Sequence, residues 1–388
     1  MTSIIRYAII VLVAVCGANL LAQQTTPVYV SGTEGHKSYR IPAIIALPGG
    51  DLLAFAEGRV NGAGDFGDVN IVLKHSTDHG KTWSQIQTIV DYDKLQAGNP
   101  APVVDLQDPK YPKGRIFLFY NTGNNHEGEV RKGHGLREVW YKTSTDGGHM
   151  WSEAVNITSQ THRPYQPQAN PAYAFTEDWR GYANTPGHAM QFVKGKYKGR
   201  IYIAANHSQG EDKSAGRDYF AHGFFTDDHG ESFGISESVD LKGGNENMAA
   251  ELSGGRLMLN LRNQQGHVRA RYTAVSTDGG VSWQDQKFDM NLPDPVCQGS
   301  LLTIGSKKGK NILAFCNAAD TKIRNNLTLR ISFDDGQSWK KNFLIYKKEG
   351  SNNAAAYSDI VLLNKKTIGV LFEKDAYSEI VFTTVKWK

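Results

Sequence analysis

The sequence predicts an all-β protein, and three observations carry the prediction: its strand runs and glycines, its lack of helical period, and a repeated turn. Short runs of β-branched and aromatic residues recur between turn clusters, no window of helical period runs beyond about ten residues, and 40 glycines punctuate the chain. The third is an eight-residue turn that occurs five times. It reads Ser76-Thr-Asp78-His-Gly80-Lys-Thr-Trp83, then Ser144-Thr-Asp146-Gly-Gly148-His-Met-Trp151, then Thr226-Asp-Asp228-His-Gly230-Glu-Ser-Phe233. Ser276-Thr-Asp278-Gly-Gly280-Val-Ser-Trp283 and Ser332-Phe-Asp334-Asp-Gly336-Gln-Ser-Trp339 complete the set.

Strand signals fall between these turns. Arg115-Ile-Phe-Leu-Phe-Tyr120, Arg256-Leu-Met-Leu-Asn-Leu261, Asn311-Ile-Leu-Ala-Phe315 and Ile380-Val-Phe-Thr-Thr384 are examples. The turns begin 68, 82, 50 and 56 residues apart, which suits one four-stranded antiparallel sheet per repeat, with insertions in the longer intervals. At about 60 residues per sheet the chain holds six, so the expectation is a six-bladed β-propeller. One blade, one of the two at the chain ends, then lacks the turn. Within each turn the Asp carboxylate can accept backbone N–H bonds, the glycine can take a left-handed conformation, and the Trp can cover the hairpin base. These aspartates are therefore read as structural.

Residues 1–22 read as a signal peptide: Arg6, the apolar run Ala8 to Cys16, then small residues up to Ala22. The expectation is an exported protein, periplasmic or secreted, with no stable membrane insertion and one domain over residues 23–388. A formal charge of +4 is too mild to suggest nucleic acid, and Cys297 and Cys316 are too few for a disulfide framework. Gly62-Ala-Gly64-Asp-Phe-Gly67 fits a dinucleotide fingerprint, but strand-like residues follow where a helix should start. Gly230-Glu-Ser232-Phe-Gly234 fits a nucleophile elbow but lies inside the third repeated turn. His126-Glu127 lacks the second histidine of a zinc site.

The repeated turn is similar to the Asp box of sialidases, and Tyr39-Arg40-Ile41-Pro42 is similar to their Phe/Tyr-Arg-Ile-Pro signature. Together, in this order and across residues 36–388, they resemble a bacterial-type exo-α-sialidase. That resemblance implies a six-bladed propeller and hydrolysis of terminal α-linked sialic acids with retention through a tyrosyl intermediate. It implies sialylated glycans, glycoproteins or glycolipids as partners, a monomer, and no cofactor or metal. Residue by residue, Arg40 resembles the first of three arginines that hold the substrate carboxylate. Glu246, 16 residues before Arg262, fits the family's catalytic Glu and second arginine. Glu251, Arg269 and Arg271 compete on the same segment. Arg330, just before the last box, resembles the third arginine. Tyr357 resembles the nucleophile and Asp65 the acid/base, with Asp68 as rival. Arg59 is a further substrate contact, Glu373 resembles the glutamate that buttresses the first arginine, and Glu57 is a second support.

The chemistry explains these residue types. Guanidiniums bind a carboxylate through planar forks that lysine cannot offer. Beside that carboxylate a neutral phenol avoids the repulsion an anionic nucleophile would meet, but it needs a base. Three other readings stay open on sequence: a trans-sialidase or intramolecular trans-sialidase, with Trp140, Tyr173 and Trp179 as candidate acceptor aromatics; a non-catalytic sialoglycan-binding propeller; and a protein-interaction propeller.

Overall fold

A computed structural model describes residues 24–388; the signal peptide expected over residues 1–22 lies outside them. From Thr26 to Lys386 the chain is a succession of strands, nearly all paired antiparallel and joined by turns and loops, with helix among the described residues confined to short turns such as Glu127–Val130. The strands form a β-propeller. An eight-stranded sheet opens it. Its first half holds Ser38–Ala46, Leu52–Arg59, Val69–Ser76 and Gln87–Val90. Its second half holds Gln96–Asp105, Arg115–Gly123, Arg137–Ser144 and Val155–Asn156. A single parallel bridge, Val69 with Gln96, joins the halves.

A five-stranded sheet is built on Ile201–Ser208 and Tyr219–Thr226, with Tyr182–Asn184 inside them. Two four-stranded sheets follow, starting at Gly244–Glu251 and Gly299–Lys307. The last sheet pairs Ala355–Asn364, Thr367–Lys374 and Glu379–Lys386 with Thr26–Val30, so both ends of the described chain share one sheet. This is the sheet without the repeated turn.

Apolar residues of one sheet pack face to face with those of the next. Phe117 and Phe119 meet Ile201 and Phe224, Tyr202 meets Leu257 and Leu259, and Ile331 meets Ile368 and Val370. All are fully buried. The inward and outward faces are both covered, so these strands read as near-continuous apolar runs rather than alternating ones.

The repeated turns have one job, and geometry shows it. Each begins on the last residue of a third strand: Ser76, Ser144, Thr226, Ser276 or Ser332. The hydroxyl donates to the Asp carboxylate two residues on and accepts the N–H of the glycine four residues on, at 2.8–2.9 Å in every copy. The Asp in turn accepts backbone N–H groups, as Asp146 does from His149 and Met150 at 3.1 and 3.0 Å. Those bonds hold the Asp146 carboxyl below its usual range. The turn glycines have φ between 81° and 95°. A Cβ on Gly80, Gly230 or Gly280 would lie 2.1 Å from Phe382, 2.8 Å from Phe117 or 2.4 Å from Tyr202, each on the preceding sheet. The turn therefore docks its own hairpin closely against the neighbour behind it, and the need recurs with every sheet.

Candidate active site

At the end of the propeller opposite those turns lies a cavity of about 360 Å³. It is placed there because its residues come from the starts of first and third strands and the ends of second ones. A recurrent local device builds it. In four innermost strands the ladder register slips by one residue, so that two residues face one on the partner strand. Ile41 and Pro42 face Ala56, Asn99 and Pro100 face Tyr120, Asn245 and Glu246 face Arg262, and Ala356 and Tyr357 face Glu373. A bulge of this kind bends the strand and redirects a side chain. Ile41 shows the cost: a β-branched residue with φ 57°, a conformation worth roughly 1–3 kcal/mol of strain. The buried Glu373 carboxylate pins it, accepting the Ile41 N–H at 2.9 Å and Arg40 Nε at 2.7 Å through the same oxygen. Its other oxygen accepts the Tyr357 N–H at 3.1 Å. One carboxylate thus fixes both bulges.

Tyr357 is the centre of the cluster. Its hydroxyl donates a short hydrogen bond to Glu246 Oε1 and accepts one from Arg262 Nη1 at 2.9 Å. Glu246 Oε2 lies 2.6 Å from the same Arg262 nitrogen. Burial pushes the Tyr357 phenol well above its usual pKa; Arg262 and Arg324 oppose that rise and Glu246 adds to it. Burial also raises Glu246, against Arg262 and the tyrosine hydroxyl. Burial works against the charge of Arg40, but Glu373, Tyr357 and Tyr377 outweigh it and raise its pKa. Asp65 stands at the mouth, exposed, 2.7 Å from Arg59 Nη1 and 4.0 Å from Arg40 Nη1. What burial it has raises its carboxyl, and the two arginines bring it below the ordinary value. Glu57 Oε2 pairs with Arg59 at 2.7 Å, and Glu57 Oε1 accepts the Asn99 N–H.

Arg40, Arg59, Asp65, Glu246, Arg262, Tyr357 and Glu57 therefore all line one cavity, with Glu373 directly behind them. Arg330 does not. It sits in the strand Leu327–Ser332, two residues before the last turn, and its Nη1 donates to Asn317 at 3.1 Å. Strands rise about 3.3 Å per residue, so a residue close to the turn face cannot reach the opposite end. The expectation for Arg330 is corrected by Arg324, which lies on the loop before that strand and lines the cavity. Arg324 donates to the Tyr377 hydroxyl at 2.9 Å and lies 5.6 Å from the Tyr357 ring centre. Tyr377 also carries the Arg40 guanidinium over its ring at 3.9 Å, which ties two arginines together. Nothing in the local sequence marks Arg324 or Tyr377: one is a loop arginine, the other follows Asp375 and Ala376 in a tight left-handed turn.

The rivals lie elsewhere. Arg271 is fully buried in a pair with Asp294 at 2.7 Å, and Glu251 accepts the Val193 N–H. Neither they, Arg269 nor Asp68 line the cavity, and the aromatic candidates Trp140, Tyr173 and Trp179 do not either. Cys297 and Cys316 are free, buried thiols, both pushed up to about 12 by burial. Among the described residues one group, Asp105, Asp108 and His229, could hold a metal ion. It lies outside the cavity, and its atoms are already paired: His229 with Asp105 at 2.7 Å, Arg115 with Asp108 at 3.0 Å.

Five arginines and four carboxylates line the cavity. Among the described residues Arg324 and Arg137 are the two of those arginines without an ion pair. With Glu373 behind Arg40 the charges balance in number, but these two guanidiniums are left without an ion pair and can meet an anionic group of a ligand.

The same chain matches a family model for the BNR repeat-like domain over residues 50–370. A sialidase of Micromonospora viridifaciens is 32% identical over 366 residues, covering 89% of this chain and 51% of that protein. An exo-alpha-sialidase of Arthroderma benhamiae is 29% identical over 386 residues, covering 92% and 83%. This chain spans about half of the first relative's length, and 64% of a Bacteroides fragilis sialidase. Among solved structures, Hadza microbial sialidase Hz136 superposes with a TM-score of 0.76 at 24% identity, over 94% of this chain and 68% of that one. A leech intramolecular trans-sialidase gives 0.71 at 16% identity, over 94% and 70%, which speaks to fold alone. The chain belongs to the BNR repeat-like family.

Proposed function

We propose that this protein is an exo-α-sialidase that releases terminal sialic acid with retention, as one catalytic domain over residues 23–388. The observation that carries the reading is the convergence of Arg40, Arg262 and Arg324 on one tyrosine already bonded to a glutamate. The three guanidiniums receive the sugar's carboxylate, each charge-assisted bond being worth roughly 1.5–3 kcal/mol. That seats the anomeric carbon against Tyr357. A phenol with a raised pKa attacks poorly by itself, so Glu246 accepts its proton as the bond to the sugar forms. Asp65 protonates the leaving oxygen. In the free site Arg59 and Arg40 keep it ionised; a substrate carboxylate arriving at Arg40 offsets that field and lets Asp65 take up its proton. Water then cleaves the tyrosyl intermediate with Asp65 as base.

Reading the eight-stranded sheet as two blades joined at Val69 and Gln96 gives six blades. Trp140, Tyr173 and Trp179 stand away from the cavity, while Tyr182 and Tyr219 line it, so the choice between hydrolysis and transfer rests on the products. Product analysis with sialyllactose tests the reading. Free sialic acid, released first as the α anomer in a proton NMR time course, is expected. An anhydro sugar or transfer to added lactose would replace hydrolysis by transfer, a β first product would remove retention, and binding without turnover would leave a lectin.

A further inference from the structure

The mechanism leaves one wall of the cavity unused. Tyr357, Glu246 and the three carboxylate-binding arginines come from the Ser38 strand and from the last three sheets. The wall across the propeller axis comes from the second half of the eight-stranded sheet and from the five-stranded sheet. It presents Gln96, Asn99, Glu127, Arg137, Asn206 and Tyr219. Its centre is Arg137, at the first position of the strand Arg137–Ser144, with only 5% of its surface exposed. Its one hydrogen bond runs from Nη1 to Gln96 Oε1, and among the described residues no carboxylate pairs with it. Glu127, which lines the same wall, accepts the Tyr219 hydroxyl at 2.7 Å instead. The place is built for this side chain: a Cβ on Gly123 would lie 2.7 Å from Arg137 Nη1. With most of its five N–H groups unengaged by the protein, this guanidinium leaves donors at the cavity that a ligand can engage in place of water.

Ring geometry says which part of the sugar reaches it. With the carboxylate at the arginines and C2 at Tyr357, the ring carbon opposite C2 is C5, so its substituent points to this wall. Sialic acids differ there: an acetamido group ending in a methyl, a glycolylamido group ending in a hydroxyl, or a hydroxyl directly on the ring. A methyl needs an apolar seat, and beside the rings of Tyr182 and Tyr219 the wall offers one aliphatic side chain, Ala183. A hydroxyl can accept from the guanidinium and donate to Glu127 or Gln96. Resting on the sialidase reading above, we propose that Arg137 is a specificity-determining residue that selects sialic acids carrying a hydroxyl at or on the C5 substituent over the N-acetyl sugar.

The test is a comparison of three aryl sialosides that differ only at C5, together with calorimetric binding of the three free 2,3-didehydro sugars. The native protein is expected to prefer one or both hydroxyl-bearing forms by on the order of 10-fold or more in kcat/KM and in Kd. Which form leads separates the ring hydroxyl from the glycolyl one. Arg137→Met should weaken those forms by roughly 10- to 100-fold while leaving the N-acetyl form level or improved. Arg137→Lys, which keeps the charge, should fall between them and controls for misfolding along with the melting curve. Native preference for the N-acetyl sugar, or an equal loss on all three sugars in both variants, overturns the proposal. Binding in the expected order without turnover would overturn the hydrolase reading and leave this one standing.

Discussion

Arg324→Lys and Arg330→Lys form the sharpest pair of perturbations, because sequence alone points to one and geometry to the other. In Arg324→Lys the charge stays, but the planar fork is lost. So are the hydrogen bond to Tyr377 at 2.9 Å and the stacking geometry near Tyr357. One lost fork is worth roughly 1.5–3 kcal/mol, and ~1.4 kcal/mol is tenfold, so kcat/KM on sialyllactose should fall by roughly 10- to 150-fold. The partner substitution should act differently. Arg330 is buried in its strand, donates to Asn317, and has its pKa lowered by burial. Replacing it costs one hydrogen bond and some packing, about 1 kcal/mol, read as a lower Tm. Its kinetics should stay within about threefold of the native protein, since threefold is under 0.7 kcal/mol and no ligand contact is removed. The assay is steady-state release of sialic acid with thermal melts on both variants. A full-activity Arg324→Lys beside a crippled but folded Arg330→Lys would refute the placement of the carboxylate site.

Asp65→Ala should lose on the order of 10²-fold or more on sialyllactose yet keep substantial activity on an aryl sialoside, whose phenolate leaves without a proton; Asp68→Ala should match the native protein on both, and the reverse result would move the acid to Asp68. Asp146→Ala should lower unfolding free energy by about 1–2 kcal/mol through lost turn bonds while the folded fraction keeps its turnover, because the turn lies at the far face; normal melting with no activity would contradict a structural role. His162, His207 and His222 are fully buried together, His207 and His222 facing each other through Nδ1 at 3.1 Å. Burial depresses all three, His222 to about 3. Depressed folded values mean that the unfolded chain binds more protons once pH drops below its own value of ~6.5, so stability is whole above that pH and lost below it. Three refused protons give a slope of up to about 4 kcal/mol per pH unit, and a urea midpoint that stays flat between pH 6.5 and 5 would sink this reading.

How much of this was legible beforehand follows from what each part requires. The repeated turn was visible because its chemistry is local: a hydroxyl, a carboxylate and a glycine must stand at fixed offsets, whatever the sheet around them does. The exported leader rested on local composition too, and lies outside the described residues. Tyr39-Arg40-Ile41-Pro42 was visible through resemblance, and the structure supplies its physics, a left-handed Ile41 held by Glu373. What stayed hidden is what strand periodicity cannot express. Period-two reading assumes an unbroken ladder, and four inner strands break it where Ile41, Asn99, Glu246 and Tyr357 stand. Glu246 and Arg262 lie on paired strands of one sheet and meet because two residues there face one. Arg324 was missed because spacing to the last turn measures distance along a strand, whereas the cavity lies at that strand's other end. Arg137 was missed for the opposite reason: in Leu136-Arg-Glu-Val-Trp140 it looks like an ordinary strand residue, and only the gap left by Gly123 and the lack of a carboxylate partner make it unusual. The two ends of each sheet thus answer to different demands. At one end every hairpin must dock on the one behind it, so the same eight residues recur. At the other no two strands do the same thing, because there each sheet brings a different side chain to one shared cavity.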